Sequence, residues 1–232
     1  METLTCFSYT CSAVEQSTQD MLKYSNKILL PESILHKMDE RDDVEYPLLF
    51  KVINPICEFG RVCAVHEFTA TEGLVNLPYY IMEDLGIKEG STVNIKYINP
   101  PKGNYIKLRP HTTEFINLNN PKAVLEHIMS KDYPVVTKGE TIVINYKDLN
   151  KKFRIDIIDT KPSEIIKIIN TDLDLEFDKP IDYVEPKPIE KPPVNNYVDE
   201  AKQPPQNVKI DDFKQNRKFV PFSGKGNVLG SK

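Results

Sequence analysis

One pattern of apolar and polar positions occurs twice in the first half of this chain. In residues 27–38 an apolar run (Ile28, Leu29, Leu30) reaches Pro31, and Ile34, Leu35 and Met38 come next at helical spacing. In residues 75–86, Val75 and Leu77 lead to Pro78, and Ile81, Met82 and Leu85 repeat the same offsets before Gly86. Pro78 follows Pro31 by 47 residues. Each copy predicts a short strand and then a helix with proline in its first turn, where the missing N–H costs no hydrogen bond. Gly86 supplies a helix stop. A second strand succeeds each helix, at residues 46–52 and 92–98. Neither strand–helix–strand unit can bury its apolar face alone, so two copies predict a closed β structure with internal pseudo-twofold symmetry.

The flanking segments read differently. Residues 1–19 are rich in Ser and Thr and predict a loose arm, with Phe7 and Tyr9 as its only aromatic anchors. Strands are predicted at 61–68 and 104–109, and the barrel-forming region is taken as 20–117. A second unit, 118–186, opens on a helix with Asn120 as N-cap and Pro121 at its first position. Strands at 141–146, 152–158 and 165–169 complete it, predicting a small α+β subdomain. Near its end, residues 171–178 alternate acid and apolar. Such a strand has one carboxylate face and one face of Leu173, Leu175 and Phe177. The simpler reading is an edge strand guarded by charge; the other is an acidic surface for a basic partner.

From 187 the composition shifts. Eight of the 18 prolines fall between residues 180 and 221. Residues 187–218 predict a flexible linker reaching roughly 30 Å or more, which lets the terminal segment search a wide volume. That terminal segment, 219–232, holds Phe219, Phe222, Gly224, Gly226 and Leu229. Apolar anchors in a polar tail are candidates for burial in a partner, and the glycines let a partner's backbone come close.

Bulk properties narrow the function classes. Net charge is -4 and no long basic run occurs, which argues against a nucleic-acid partner. No stretch approaches the roughly 20 apolar residues of a membrane span, and the start of the chain has no secretory-signal pattern. An intracellular protein, cytoplasmic or also nuclear, is expected. Cys6, Cys11, Cys57 and Cys63 match no zinc spacing, and His36, His66, His111 and His127 do not cluster with them, so no metal or other cofactor is expected. No nucleophile stands in a motif with a base. Asp156 and Asp159, three apart on a predicted strand, should face opposite ways. Catalysis is not expected.

Two resemblances give these elements a common meaning. Phe222-x-Gly224-x-Gly226-x-x-Leu229 resembles the SHP box of cofactors of the valosin-containing AAA ATPase, which implies docking on that ATPase's N-terminal domain. Several further stretches resemble, in the same order, the ubiquitin fusion degradation protein 1 family. They are Lys27-Ile28-Leu29-Leu30-Pro31-x-Ser33, Tyr46-Pro47-Leu48-Leu49-Phe50-Lys51, Glu67-Phe68-x-Ala70-x-Glu72-Gly73, Asn120-Pro121-Lys122-Ala123-Val124-Leu125-Glu126, Thr160-Lys161-Pro162 and Tyr183-x-Glu185-Pro186. The resemblance implies a double-psi β-barrel followed by an α+β subdomain; the polar, proline-rich composition after them predicts a disordered C-terminal tail. The resemblance also implies an adaptor that binds ubiquitin or polyubiquitin within residues 20–186, at positions no motif marks, and delivers conjugates to the ATPase for unfolding and degradation. The family's companion, nuclear protein localization protein 4, binds a segment beyond the terminal box, whereas this sequence stops at Lys232. A stand-alone ATPase-binding module, or a competitor of the complete adaptor, is therefore the alternative expectation.

Overall fold

The computed structural model of this chain describes residues 1–146 and 149–184. These lie in one compact unit, Met1–Pro186. The linker at 187–218, the five motif residues at 219–232 and the Glu185–Pro186 pair lie outside the described residues.

Six strands close into a barrel in the order β1-β5-β2-β4-β3-β6. They are β1 (Glu2–Ser8), β2 (Lys27–Pro31), β3 (Leu49–Ile53), β4 (Gly60–Ala70), β5 (Leu74–Leu77) and β6 (Thr92–Ile98). The pairs β1–β5 and β2–β4 are parallel, whereas β3–β4, β1–β6, β3–β6 and β2–β5 are antiparallel. Exchanging β1 with β4, β2 with β5 and β3 with β6 reproduces both the order and every pairing sense. That exchange is the twofold the repeated pattern predicts.

The helices of the repeat are α2 (Glu32–Asp39) and α3 (Tyr79–Asp84); α1 (Gln16–Leu22) precedes them. Ile34, Ile81, Met82 and Leu85 are buried in the barrel core, and Leu35 and Met38 pack against it. Pro31 and Pro78 occupy the N-cap positions, in extended backbone, one step before the predicted first turn.

Two boundaries are corrected. Residues 1–19 are no loose arm: β1 pairs with β5 and β6, so the barrel cannot close without it. Leu4, Cys6 and Ser8 point inward at period two, and the outward-facing Thr3, Thr5 and half-buried Phe7 disguise the alternation. The barrel also ends before 117. After Pro100 and Pro101 the chain crosses to a second sheet, ordered β12-β7-β10-β9, formed by β7 (Tyr105–Pro110), β9 (Thr141–Tyr146), β10 (Lys151–Lys161) and β12 (Asp174–Phe177). Ile106 and Leu108 would suit either sheet; only the pairing partner distinguishes them, and no local pattern encodes it.

One face of this sheet is packed by α4 (Thr113–Ile116) and α5 (Pro121–Asp132), through Phe115, Leu125 and Met129. As expected, Asn120 caps α5, its Oδ1 accepting the Ala123 N–H at 3.2 Å from a left-handed backbone, with Pro121 next. The stretch 165–169 is only β11 (Ile165–Lys167), paired apart from the main sheet with β8 (Val135–Thr137). The acidic strand is β12 at the sheet's edge, parallel to β7; Leu173, Leu175 and Phe177 pack inward, and Glu176 meets Lys107 at 3.0 Å and the Tyr105 hydroxyl at 2.6 Å.

The barrel and the second subdomain share a built junction, made on the latter's side by the β8–β11 pair and the turn after β8. Leu49, Val62 and Ala64 on the barrel's outer face pack on Val135. Buried Asn26 donates to the Val135 carbonyl at 2.6 Å. Lys167 donates to Glu45 and Asn99 at 2.8 and 2.7 Å. Arg61 of β4 lies 2.7 Å from Asp84 and 3.6 Å from buried Glu140. Burial pushes the Glu140 carboxyl up to about 7, outweighing the attraction of Arg61 and the Thr137 N–H.

The folded unit therefore binds the Glu140 proton more tightly than the unfolded chain. This group's contribution to stability is complete below the ordinary carboxylate value and is lost as pH rises through about 7. The difference is on the order of 3 kcal/mol, from 1.36 kcal/mol per unit. Glu140→Gln should lose less stability than the parent between pH 5 and pH 8 (about that range brackets the titration), read by urea unfolding at each pH. Parallel pH profiles for the two proteins would contradict it.

Candidate functional surface

The loop between β3 and β4, residues 54–59, displays apolar side chains to water and is itself firmly held. Ile56 is 92% exposed and Phe59 49%. Asn54 organises the loop from within. Its side-chain amide donates to the Leu85 carbonyl at 2.9 Å, while its Oδ1 accepts the Ile56 N–H at 2.9 Å. The Asn54 N–H donates to the Phe59 carbonyl, and the Glu58 N–H donates to the Asn54 carbonyl, each at 2.9 Å. Glu58 takes the left-handed conformation, φ 58°, that tightens the turn.

Gly60 is required where the loop re-enters the sheet. A Cβ there would stand 2.8 Å from Lys51 Cε and 2.9 Å from the Val52 carbonyl oxygen. The Arg61 guanidinium lies over the Phe59 ring, 5.7 Å from its centroid, and reaches Asp84 and Glu140. The loop base is thereby tied to α3 and to the turn between β8 and β9.

Its chemistry is that of a binding anchor. A fully exposed Ile costs about 1.5–3 kcal/mol relative to a buried one, and that energy becomes available when a partner covers it. A loop already held in one conformation loses little entropy on binding. Nothing in the sequence marked Ile56 and Phe59 as functional. The available signal was an apolar pair inside a segment bounded by Pro55 and Gly60, where a turn should be polar.

The carboxylates and thiols considered for chemistry lie elsewhere. Asp156 and Asp159 were expected on opposite faces, and they share one. A bulge lets Ile157 pair with Leu108 and Asp159 with Lys107, skipping Ile158, so Asp156 and Asp159 stand opposite Arg109 and Lys107 on the same side of β7. They serve separate partners. Asp156 accepts from Thr141 at 2.8 Å and bonds His111 at 2.7 Å, while Asp159 takes Lys138 at 2.8 Å. The bonds from His111 and Thr141 and the Arg109 charge hold the Asp156 carboxyl below its usual range against the opposing effect of burial.

Cys6 and Cys63 are buried and Cys11 and Cys57 exposed, all four as free thiols; burial pushes the Cys63 thiol far up. Among the described residues no group of three or more His, Cys, Asp and Glu is arranged to hold a metal ion. Among them, too, no helix is long and apolar enough to cross a membrane.

A closed barrel is joined to a small α+β subdomain, and among the described residues Ile56 of the β3–β4 loop is the most exposed large apolar side chain. Comparison with known proteins specifies the family. Residues 2–101 match the model described as ubiquitin fusion degradation protein UFD1, N-terminal subdomain 1, and residues 102–180 match subdomain 2. The chain is 32% identical over 227 residues to the human ubiquitin recognition factor in ER-associated degradation protein 1, covering 98% of this chain and 70% of that protein. It is 39% identical over 164 residues to the Dictyostelium discoideum ubiquitin fusion degradation protein 1 homolog, covering 71% of this chain but 48% of that one. The Saccharomyces cerevisiae ubiquitin fusion degradation protein 1 is 39% identical over 173 residues, 72% of this chain and 46% of that protein. This chain belongs to the ubiquitin fusion degradation protein 1 family, and it spans from about half to 70% of these relatives' lengths. The mammalian relatives are named for ubiquitin recognition in ER-associated degradation and the others for ubiquitin fusion degradation. The family's junction between subdomains at 101/102 coincides with the crossover at Pro100 and Pro101.

Proposed function

We propose that the chain is a non-catalytic adaptor that holds ubiquitin conjugates on its folded unit and brings them to the valosin-containing AAA ATPase. The observation that carries the first half is the β3–β4 loop: a rigid apolar projection with Ile56 at its exposed tip, in a family whose human and rodent members are named for ubiquitin recognition. Ile56 and Phe59 enter the apolar contact, and Arg61 and Glu58 flank it. The second half rests on Phe219, Phe222, Gly224, Gly226 and Leu229, whose spacing resembles the SHP box. An adaptor of both partners works in the cytoplasm or nucleus, where ubiquitin and the ATPase meet. Nuclear protein localization protein 4 is the companion that the family reading adds.

Two titrations test this. A peptide covering residues 218–232 should saturate the ATPase's isolated N-terminal domain with an affinity of order micromolar. Phe222→Ala should cost that peptide about 2 kcal/mol or more. The full chain should bridge immobilised polyubiquitin to the ATPase, and the same substitution should release only the ATPase. A peptide that binds while the chain captures no ubiquitin would reduce the protein to an ATPase-binding module. A peptide that does not bind would remove the ATPase from the account.

A further inference from the structure

Far along the chain from the β3–β4 loop, the second sheet carries an open groove of about 580 Å³ between α5 and the segment running from Ile168 to Leu175. Its floor is apolar: Met129 and Ile168 are buried there, with Leu173 and Leu175 half-buried beside them. Its charged lining is entirely acidic. Glu126 stands on the α5 side and Asp172 on the opposite wall, His127 is the one titratable nitrogen beside them, and among the described residues no Lys or Arg lines the groove. Asp172 has no ion pair among the described residues, and neither does Asp174, the next acid along β12. Lys122 approaches Glu126 only to 3.8 Å, with both side chains more than half exposed, so water screens that pair.

The placement has a physical consequence. The alternation of acids and leucines in 171–178 does two jobs. Leu173 and Leu175 turn into the groove and the sheet core, while Asp172 lies at the lip. An apolar cleft accepts an aliphatic side chain, and the carboxylates at its mouth, Asp172 without an ion pair and Glu126 with only a screened one, favour a cationic ligand and repel an anionic one. We propose that this groove docks a basic peptide segment of a partner protein, an aliphatic side chain entering the cleft and Lys or Arg side chains meeting Glu126 and Asp172. The site lies on the second subdomain and is independent of the ubiquitin reading, which rests on the barrel loop.

The test uses the full chain and a fluorescent peptide of alternating lysine and leucine. Its controls are a lysine–serine and a glutamate–leucine peptide of equal length. Saturable binding of the first peptide alone is expected. The double variant Glu126→Lys/Asp172→Lys should weaken it by about tenfold or more. A control, Glu15→Lys/Asp42→Lys, makes the same change in net charge at two exposed sites outside the groove and should leave affinity within about twofold. Monoubiquitin titrated into the groove variant should bind as it does to the parent, which separates a failure here from a failure of the ubiquitin reading. Equal weakening by both double variants would overturn the proposal in favour of bulk charge. So would equal binding of the lysine–serine peptide, or no saturable binding at all. Self-association of the chain abolished by the groove variant would assign the groove to a second copy instead.

Discussion

Phe115→Ala should lower the stability of the folded unit by about 3–5 kcal/mol, the range for deleting a fully buried aromatic ring. Although α4 is only four residues long, Phe115 is fully buried. It packs edge-on against Phe153 of β10 at 5.3 Å and tilted against Phe177 of β12 at 6.2 Å. The ring thus joins the middle of the sheet to its acidic edge strand, and alanine leaves a cavity that the sheet cannot collapse to fill. At about 2–4 °C per kcal/mol for a unit of this size, the melting temperature should fall by roughly 10 °C. The whole unit should melt in one shifted transition. The contacts of Arg61 with Glu140, Asn26 with Val135 and Lys167 with Glu45 tie the barrel to the β8–β11 pair and the turn after β8, so opening the second subdomain should also loosen the barrel. Two separated calorimetric transitions, with the upper one unmoved, would show that the subdomains are stable independently.

Ile56→Asp should abolish most ubiquitin binding without touching the fold. Replacing an anchor that a partner buries costs about 2 kcal/mol or more, a loss of roughly 30-fold, and a buried carboxylate adds its own desolvation. The folded protein should not notice the change, because Ile56 is 92% exposed and the loop is held through backbone groups and Asn54. Phe59→Ala should weaken binding as well, with a small loss of stability from the Arg61 contact. An unchanged ubiquitin affinity in Ile56→Asp would separate the loop from ubiquitin recognition. A marked fall in its melting temperature would mean that the loop packs as part of the core.

How legible each feature was in the sequence depends on how far its interactions reach along the chain. The two strand–helix repeats were visible because Ile34 and Met38 in one copy, and Ile81 and Leu85 in the other, sit at helical period next to a proline, each copy within a dozen residues. The α5 cap was visible for the same reason: Asn120 and Pro121 act on Ala123, three positions away. Strand β1 was hidden by its own outward face, where Thr3 and Thr5 gave it the composition of a loop although Leu4 and Cys6 reach the core. The shared face of Asp156 and Asp159 depended on one bulged residue, Ile158, which period-two counting cannot foresee.

Long-range electrostatics left no trace either. Arg61 and Glu140 meet from different subdomains, and the raised affinity of Glu140 for its proton comes from burial that only the assembled junction creates. Ile56 and Phe59 were passed over for a simpler reason. Apolar residues beside strands read as core, and only the folded geometry shows that these two face water.

The most direct test of the account is an NMR titration of the isotopically labelled full chain with unlabelled monoubiquitin. Saturating amide shifts should concentrate in residues 54–61, with Ile56 and Phe59 among the largest, and should vanish in Ile56→Asp. Saturating shifts confined to other surfaces, with the 54–61 amides unmoved, would contradict it.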